Sequence, residues 1–399
     1  MTQTNRCFTA AKLNGLELKN RLIKAGTFEG MTPNGTPSKR YQDFHTALAK
    51  GGIGMTTLGY CATEPNGRLH ENMLHMNEYL RQPLSNLIEQ LHQLNCKVSG
   101  QMGHCGGFTK NAQLSTPRAK GPSFGLNKLG LTRGMVFVDA MSEQDINQFI
   151  DSYARAARFM KSVGFDCLEI HFGHGYGLFQ YLSPLTNRRS DQYGGSLENR
   201  MRVPLLVLEA VRKEVGDAFP IIGKISASEG ARGGLNYTDA VTFCSALDNA
   251  GIDGIITSNG TSTAHPMLIF HGDSILPSLL EHEKNLAMRA VMHLVGPRMF
   301  KPIPYHELYL LEHAKRIRDA VQCKMIYVGG ASSNESFETL MNEGFDFIQL
   351  GRALLSDPEL PNMAATSPNF KSRCLHCNDC VGTIDHPQGI HCPRFEKAF

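Results

Sequence analysis

The chain carries little net charge and no concentrated charge of one sign. Its 399 residues include 40 basic and 37 acidic side chains, a formal charge of +3, and the basic residues are dispersed. Without a lysine/arginine run there is nothing to follow a phosphate backbone or grip an anionic bilayer, so no nucleic-acid or membrane partner is expected. No apolar run approaches the roughly 20 residues that a membrane-spanning helix needs. The N-terminal MTQTNRCFTAAKLNG lacks the apolar core of a secretory signal. No G-x-G-x-x-G follows the first candidate strand, which argues against an open, doubly wound dinucleotide-binding sheet. Low-complexity segments and long internal repeats are absent too. A soluble, cytoplasmic protein is expected.

What is present is a repeated alternation of short β-rich runs and amphipathic runs. Candidate strands cover Arg21 to Gly26, Ile53 to Gly59, Lys97 to Gln101, Asp166 to His171, Pro220 to Ser226, Ile252 to Ser258, Lys324 to Gly329 and Phe345 to Gly351. Candidate helices cover Lys39 to Lys50, Leu84 to Leu94, Glu143 to Val163, Leu197 to Val215, Thr238 to Ala250, Glu307 to Val321 and Asn334 to Asn342. Such alternation implies parallel strands joined by right-handed crossovers, and eight units suggest a closed (β/α)8 TIM barrel, class α/β. At 41% hydrophobic residues the chain can fill a sizeable core. Residues 1–365 are expected to form the barrel and residues 366–399 a short cysteine-rich tail. Two long insertions, Cys105 to Val138 and His265 to His306, fall after the third and sixth strands, where lids or partner surfaces are common.

In a barrel, chemistry gathers at the C-terminal ends of the strands. Those ends here are Ala25, Gly26 and Thr27; Gly59; Gln101; His171 and His174; Lys224; Ser258; Gly329 and Gly330; Gly351 and Arg352. Small residues, hydrogen-bonding groups and cations therefore converge on one mouth, a set that suits a large, flat, anionic cofactor. The glycine pair after strand seven and Gly351-Arg352 after strand eight suit a phosphate, through exposed backbone N–H groups and a fixed cation. The stretch Asp166 to Arg200 stands out most. Two histidines three residues apart, Tyr176 and a set of glycines sit just past a strand end. Two imidazoles alone are too few for a zinc site.

The segment H-x-x-H-G-Y at 171–176, followed by S-P-x-x-N-x-R-x-D-x-Y-G-G-S-x-x-N-R at 183–200, resembles the old yellow enzyme family of FMN-dependent NAD(P)H oxidoreductases. The resemblance is greatest to the 2,4-dienoyl-CoA reductase-like branch and extends from Arg21 to about Arg352. It implies an ene-reductase in which NADH or NADPH reduces FMN and the reduced FMN passes hydride to an electron-poor C=C bond. It also implies roles for single residues. Gln101 would bind the pyrimidine edge of the flavin, Lys224 would place a cation near its N1 and O2 edge, and Gly59 would lie beside it. His171 and His174 would hold the substrate's carbonyl, and Tyr176 would protonate the α-carbon. Asn187 and Arg188 belong to the signature in a structural role. Many relatives have Thr or Cys beside the flavin N5 edge; here Phe28 takes that position, with Thr27 one residue earlier. Amine demethylation lies within the wider resemblance. Two readings of other classes are a non-catalytic flavin- or metal-binding electron-transfer module and a barrel aldolase using Lys224 as a Schiff-base amine.

The chain has eleven cysteines. Cys7, Cys61, Cys96, Cys105, Cys167, Cys244 and Cys323 are scattered, as expected of reduced, buried small hydrophobes rather than a disulfide scaffold. Cys374, Cys377, Cys380 and Cys392 form C-x2-C-x2-C-x11-C. An iron–sulfur cluster, a zinc site and a metal-free remnant all fit that pattern, and no metal ligand is assigned. A similar cluster in the two-domain branch relays electrons from an FAD domain. The sequence runs out at Phe399 without one, so a relay role is not expected.

Overall fold

The computed structural model describes residues 5–395 apart from residue 263. Eight parallel strands run β1 (Leu22–Lys24), β2 (Met55–Ala62), β3 (Lys97–Gly103), β4 (Cys167–His171), β5 (Ile221–Ser226), β6 (Gly254–Ser258), β7 (Lys324–Tyr327) and β8 (Phe347–Leu350). Each pairs with the next, and β8 returns to β1 with Ile348 opposite Leu22, so the sheet closes into a (β/α)8 barrel. The surrounding helices are α1 (Lys39–Lys50), α2 (Arg81–Gln93), α3 (Glu143–Ser162), α4 (Leu197–Val215), α5 (Tyr237–Asn249), α6 (Leu311–Arg318), α7 (Asn334–Asn342) and α8 (Leu360–Thr366). Their starts are set by side-chain caps. Ser38, Ser196 and Asn236 each accept a backbone N–H of the first turn, and Ser142 with Asp145 and Ser333 with Ser336 form capping boxes.

Alternation along the strands divides the apolar residues between two cores. Leu22, Leu58, Val98, Leu168, Ile225 and Ile255 face the helices. Ile23, Met55, Cys167, Ile222, Ile256, Ile326 and Phe347 fill the barrel interior. Leu13 and Leu18 join that inner cluster. They come from a hairpin, Ala11–Leu13 against Leu16–Leu18, that plugs the N-terminal end of the barrel. Its two-residue turn is Asn14-Gly15 at φ 40° and 81°, the left-handed conformation that tight hairpins need. The Asn-Gly pair between leucines is the sequence signal for this hairpin.

The expected strands all form, with shifted ends: β2 continues to Ala62 and β1 is limited to Leu22–Lys24. The sixth helix is shorter than the expected Glu307 to Val321. Leu308 is left-handed at φ 58°, the Glu307 carboxylate is occupied by the Ser332 and Ser333 hydroxyls, and Leu310 N–H donates to the Tyr327 hydroxyl at 3.1 Å. The insertion after β3 contains a small sheet of Ala119–Gly121, Gly125–Leu126 and Phe137–Ala140. The insertion after β6 contains the helices Leu276–His282 and Leu286–Met299. The tail folds back over the mouth: Ile390 N–H donates to Glu29 O at 2.7 Å, Ser278 Oγ to Asp379 O at 2.7 Å, and Ser372 Oγ to Asp357 at 2.7 Å. Among the described residues no helix is long and apolar enough to cross a membrane.

Leu13 is fully buried in the plug. Leu13→Ala is expected to destabilise the protein by about 2–5 kcal/mol. Chemical denaturation checks this; an unchanged midpoint would mean that the hairpin does not close the core.

Candidate active site

The floor of the mouth is built on one carboxylate. Strand register sets Glu169 opposite Gln101 on β3, and both point into the barrel above the inner apolar cluster. Glu169 Oε1 accepts from Gln101 Nε2 at 2.6 Å and lies 2.8 Å from Lys224 Nζ. Its Oε2 accepts from Gln349 Nε2 at 2.8 Å. All four residues are buried. Two of them, Gln101 and Lys224, were expected at the site; Glu169 and Gln349 were not. Each is a polar residue between apolar neighbours, Glu169 between Leu168 and Ile170 and Gln349 between Ile348 and Leu350, which marks it as unusual but does not say what it meets.

The wall rises from the end of β4. His171, opposite Lys224 in register, is the last strand residue. The chain then turns through Gly173, where a Cβ would come within 2.9 Å of Ser226 Oγ. His174 follows in the left-handed region at φ 60°. Ser226 and Ser258 hold it: His174 N–H donates to Ser226 Oγ at 2.9 Å, and its Nε2 is 2.7 Å from Ser258 Oγ. The two imidazoles meet edge to face at 4.9 Å, and Tyr176 lies 4.8 Å from His171. The expected trio thus assembles at one place. Gly173 N–H donates to His171 Nδ1 at 3.3 Å, which leaves Nε2 as the N–H donor of a neutral ring. Burial, His174 and Lys224 push His171 well below the usual histidine range, and burial and Lys224 push His174 down to about 3. Burial raises Tyr176 above the usual phenol range. At neutral pH all three groups are uncharged proton holders.

The long signature after Tyr176 is scaffolding. Asn187 Nδ2 donates to Tyr181 O at 2.8 Å and Tyr193 O at 2.7 Å. Arg189 reaches Pro122 O at 2.9 Å and Met141 O at 2.7 Å. Arg188 N–H donates to Ser123 Oγ at 2.9 Å, and Arg200 binds Leu182 O. Together they fix the short helix Gly177–Leu182 that begins at Tyr176.

Opposite the wall, backbone approaches closely. A Cβ on Gly26 would meet Gln101 Nε2 at 2.7 Å, and one on Gly59 would meet Thr27 O at 2.7 Å. Ala25 follows β1, its N–H donating to Leu350 O at 2.8 Å. Thr27 is otherwise engaged: its hydroxyl lies 2.9 Å from Glu29 Oε1 and 3.1 Å from Lys24 Nζ, within a buried Lys24–Glu29 ion pair that sequence reading missed. Phe28 packs against the cluster of Tyr60, Ala62 and Met73, as does Tyr176. After β7 and β8, where a phosphate was expected, Gly329 and Gly330 have φ 138° and 84°, and Gly351 has open space where a side chain would be. Arg352 stands at this end but turns to the tail, donating to His271 O at 2.8 Å and to Asn378 Oδ1.

Among the scattered cysteines all are buried except Cys323, which is partly exposed, and none forms a disulfide. Cys374, Cys377, Cys380 and Cys392 line one small cavity together with Arg352. Burial pushes the Cys380 thiol up to about 12 against the pull of Arg352. Among the described residues no three His, Cys, Asp or Glu side chains are placed to hold a metal ion.

Residues 6–267 match the model of the NADH:flavin oxidoreductase / NADH oxidase family. The chain belongs to that family. It is an FMN-dependent NAD(P)H oxidoreductase of the old yellow enzyme type. It is 33% identical over 384 residues to the 4,4'-dithiodibutanoate disulfide reductase of Rhodococcus erythropolis, covering 96% of this chain and 93% of that one. It is 30% identical to a metal reductase of Desulforamulus reducens across 95% of its own length, but spans only about half, 51%, of that protein. The fold of morphinone reductase superposes with a TM-score of 0.71 at 20% identity, covering 93% of this chain and 92% of that one.

Partly buried imidazoles make stability pH-dependent. His174 titrates at about 3, and burial holds His271 and His376 at about 4. Unfolded imidazoles titrate near pH 6.5. Between these values the unfolded chain binds protons that the fold excludes, so this stability is fully present above about pH 6.5 and is lost as pH falls toward 4. Denaturant midpoints are expected to be level from about pH 7 to 8 and to decline below about 6.5, less steeply in His271→Asn. A midpoint level down to pH 5 would contradict this.

Proposed function

We propose that the enzyme reduces activated C=C bonds of enone- or enoate-type substrates, with NADH or NADPH as the reductant. The observation that carries the reading is the neutral His171–His174–Tyr176 trio standing over the Glu169–Lys224–Gln101 floor. The mouth fits FMN: it has an anchored amide and ammonium, two glycines that bring backbone close, and an open glycine turn beside Arg352. Ala25, Gly26, Thr27, Gly59, Gln101 and Lys224 would hold the ring system, and Gly329, Gly330, Gly351 and Arg352 the phosphate end. Bound FMN supplies the two-electron carrier between nicotinamide and alkene. His171 and His174 offer N–H donors to the substrate oxygen on which charge develops. Tyr176 holds its proton through neutral pH and can give it to the carbon next to the carbonyl. The aldolase reading loses ground because the amine of Lys224 is held in an ion pair at 2.8 Å. The cytoplasm is the compartment that suits a chain with eleven unpaired thiols.

A second substrate class, linear disulfides, is favoured by the relative from Rhodococcus erythropolis, which matches along nearly its whole length. The same trio would then protonate a leaving thiolate. Residues 1–365 would be the catalytic barrel and residues 366–399 the tail.

Tyr176→Phe separates these roles. Reduction of bound FMN by NAD(P)H needs no proton on an alkene carbon and is expected to proceed at nearly the wild-type rate. Reoxidation by an enone is expected to slow by roughly 10²- to 10⁴-fold. Stopped-flow absorbance reads both half-reactions; equal slowing of both would make Tyr176 a packing residue. His174→Ala is expected to weaken enone binding as well.

For the tail we propose an iron–sulfur cluster, on the spacing of the four cysteines and the cavity they share. No catalytic step is assigned to it, because the thiols as placed do not form a ligand set. Anaerobically prepared protein is expected to contain iron and acid-labile sulfide, and Cys377→Ser to lose both. Fully active protein free of iron would contradict this.

A further inference from the structure

Glu169 belongs to none of the roles assigned above, yet it is the group that Gln101 and Lys224 share. It has no exposed surface, and its two oxygens meet Gln101, Lys224 and Gln349 at 2.6 to 2.8 Å. Two consequences follow from elementary chemistry. An ionised carboxylate only accepts hydrogen bonds, so the amide of Gln101 must turn its nitrogen to Glu169. Its carbonyl oxygen then points away from Glu169. Second, the ammonium of Lys224 is neutralised at contact distance. The other buried cation nearby, Lys24, is already matched by Glu29. His171 and His174 are neutral. The net charge beneath the mouth is therefore zero, although Lys224 taken alone would make it positive.

We propose that Glu169 is the positioning residue for the flavin's pyrimidine edge. It aims the carbonyl of Gln101 at the ring and offsets Lys224, holding the reduction potential of bound FMN below the value that an unpaired Lys224 would set. The inference rests on the reading that FMN lies over this floor. Two-electron, one-proton reduction adds one negative charge to the ring, and an unpaired cation beneath it stabilises that charge. Removing the negative charge of Glu169 thus favours the reduced state, and removing the positive charge of Lys224 disfavours it.

The experiment is a set of three variants, Glu169→Gln, Lys224→Met and the double substitution, each loaded with FMN. The midpoint potential of the bound flavin is measured by anaerobic spectroscopic titration. Glu169→Gln is expected to shift the potential positive of wild type and Lys224→Met negative. The double variant, again neutral, is expected to return close to wild type. A purely structural Glu169 would lower thermal stability but leave the potential in place. Glu169→Gln with bound FMN at the wild-type potential overturns the proposal. If Glu169→Gln does not fold, Lys224→Met and the double variant still decide: a higher potential in the double supports the proposal, and equal potentials overturn it. Wild-type protein that binds no FMN overturns the underlying reading and the proposal together, whereas FMN-loaded variants of equal potential overturn the proposal alone.

Discussion

A carboxylate sealed inside a barrel must be met by donors. Leaving a buried charge unmatched costs about 3–5 kcal/mol when one partner is removed. Glu169 imposes that condition on three other strands at once, drawing Gln101 from the adjacent β3, Lys224 from the adjacent β5 and Gln349 from β8 across the barrel. The barrel interior consequently has two halves. Below Glu169 it is filled with Ile23, Met55, Ile222, Ile256, Ile326 and Phe347 and stoppered by Leu13 and Leu18. Above it the lining is polar, and the strand ends open into a mouth that can host a charged ring. The apolar half supplies rigidity, and the polar half supplies aligned donors.

The rest of the molecule holds the rim. Ser226 and Ser258, from β5 and β6, fix His174 in a left-handed conformation that a non-glycine residue rarely adopts. The run from Ser183 to Arg200 ties the helix after Tyr176 to the β3 insertion through Arg188 and Arg189. On the opposite side the tail joins three separate parts of the mouth: Glu29 beyond β1, Ser278 in the β6 insertion, and Arg352 after β8. Tyr305 and His376 stack at 3.4 Å across the same seam. The cysteine cavity therefore lies beside the C-terminal end of β8, with Arg352 in its lining.

How much of this was legible in the sequence depended on the range of the interaction. The barrel was legible because each βα unit is local and the periodicity repeats. His171, His174 and Tyr176 were legible because a single turn brings them together. Glu169 and Gln349 were not, since they are 180 residues apart and meet only when the barrel closes. Arg352 was placed at the right end of the barrel, but its turn toward Asn378 depends on how the tail packs. Thr27 sat beside the expected flavin position, yet its hydroxyl is taken by Lys24 and Glu29, a pairing that spacing alone does not reveal. The Asn14-Gly15 hairpin is the contrary case: its signal, a left-handed dipeptide between two leucines, is strong and local.

We propose that this mouth holds FMN and passes electrons from a nicotinamide to an acceptor on the His171–His174 side. Anaerobic absorbance of the purified protein tests it most directly. NADH or NADPH should bleach the bound flavin, and an added enone or linear disulfide should restore the oxidised spectrum. A bound flavin that neither nicotinamide can bleach would contradict it.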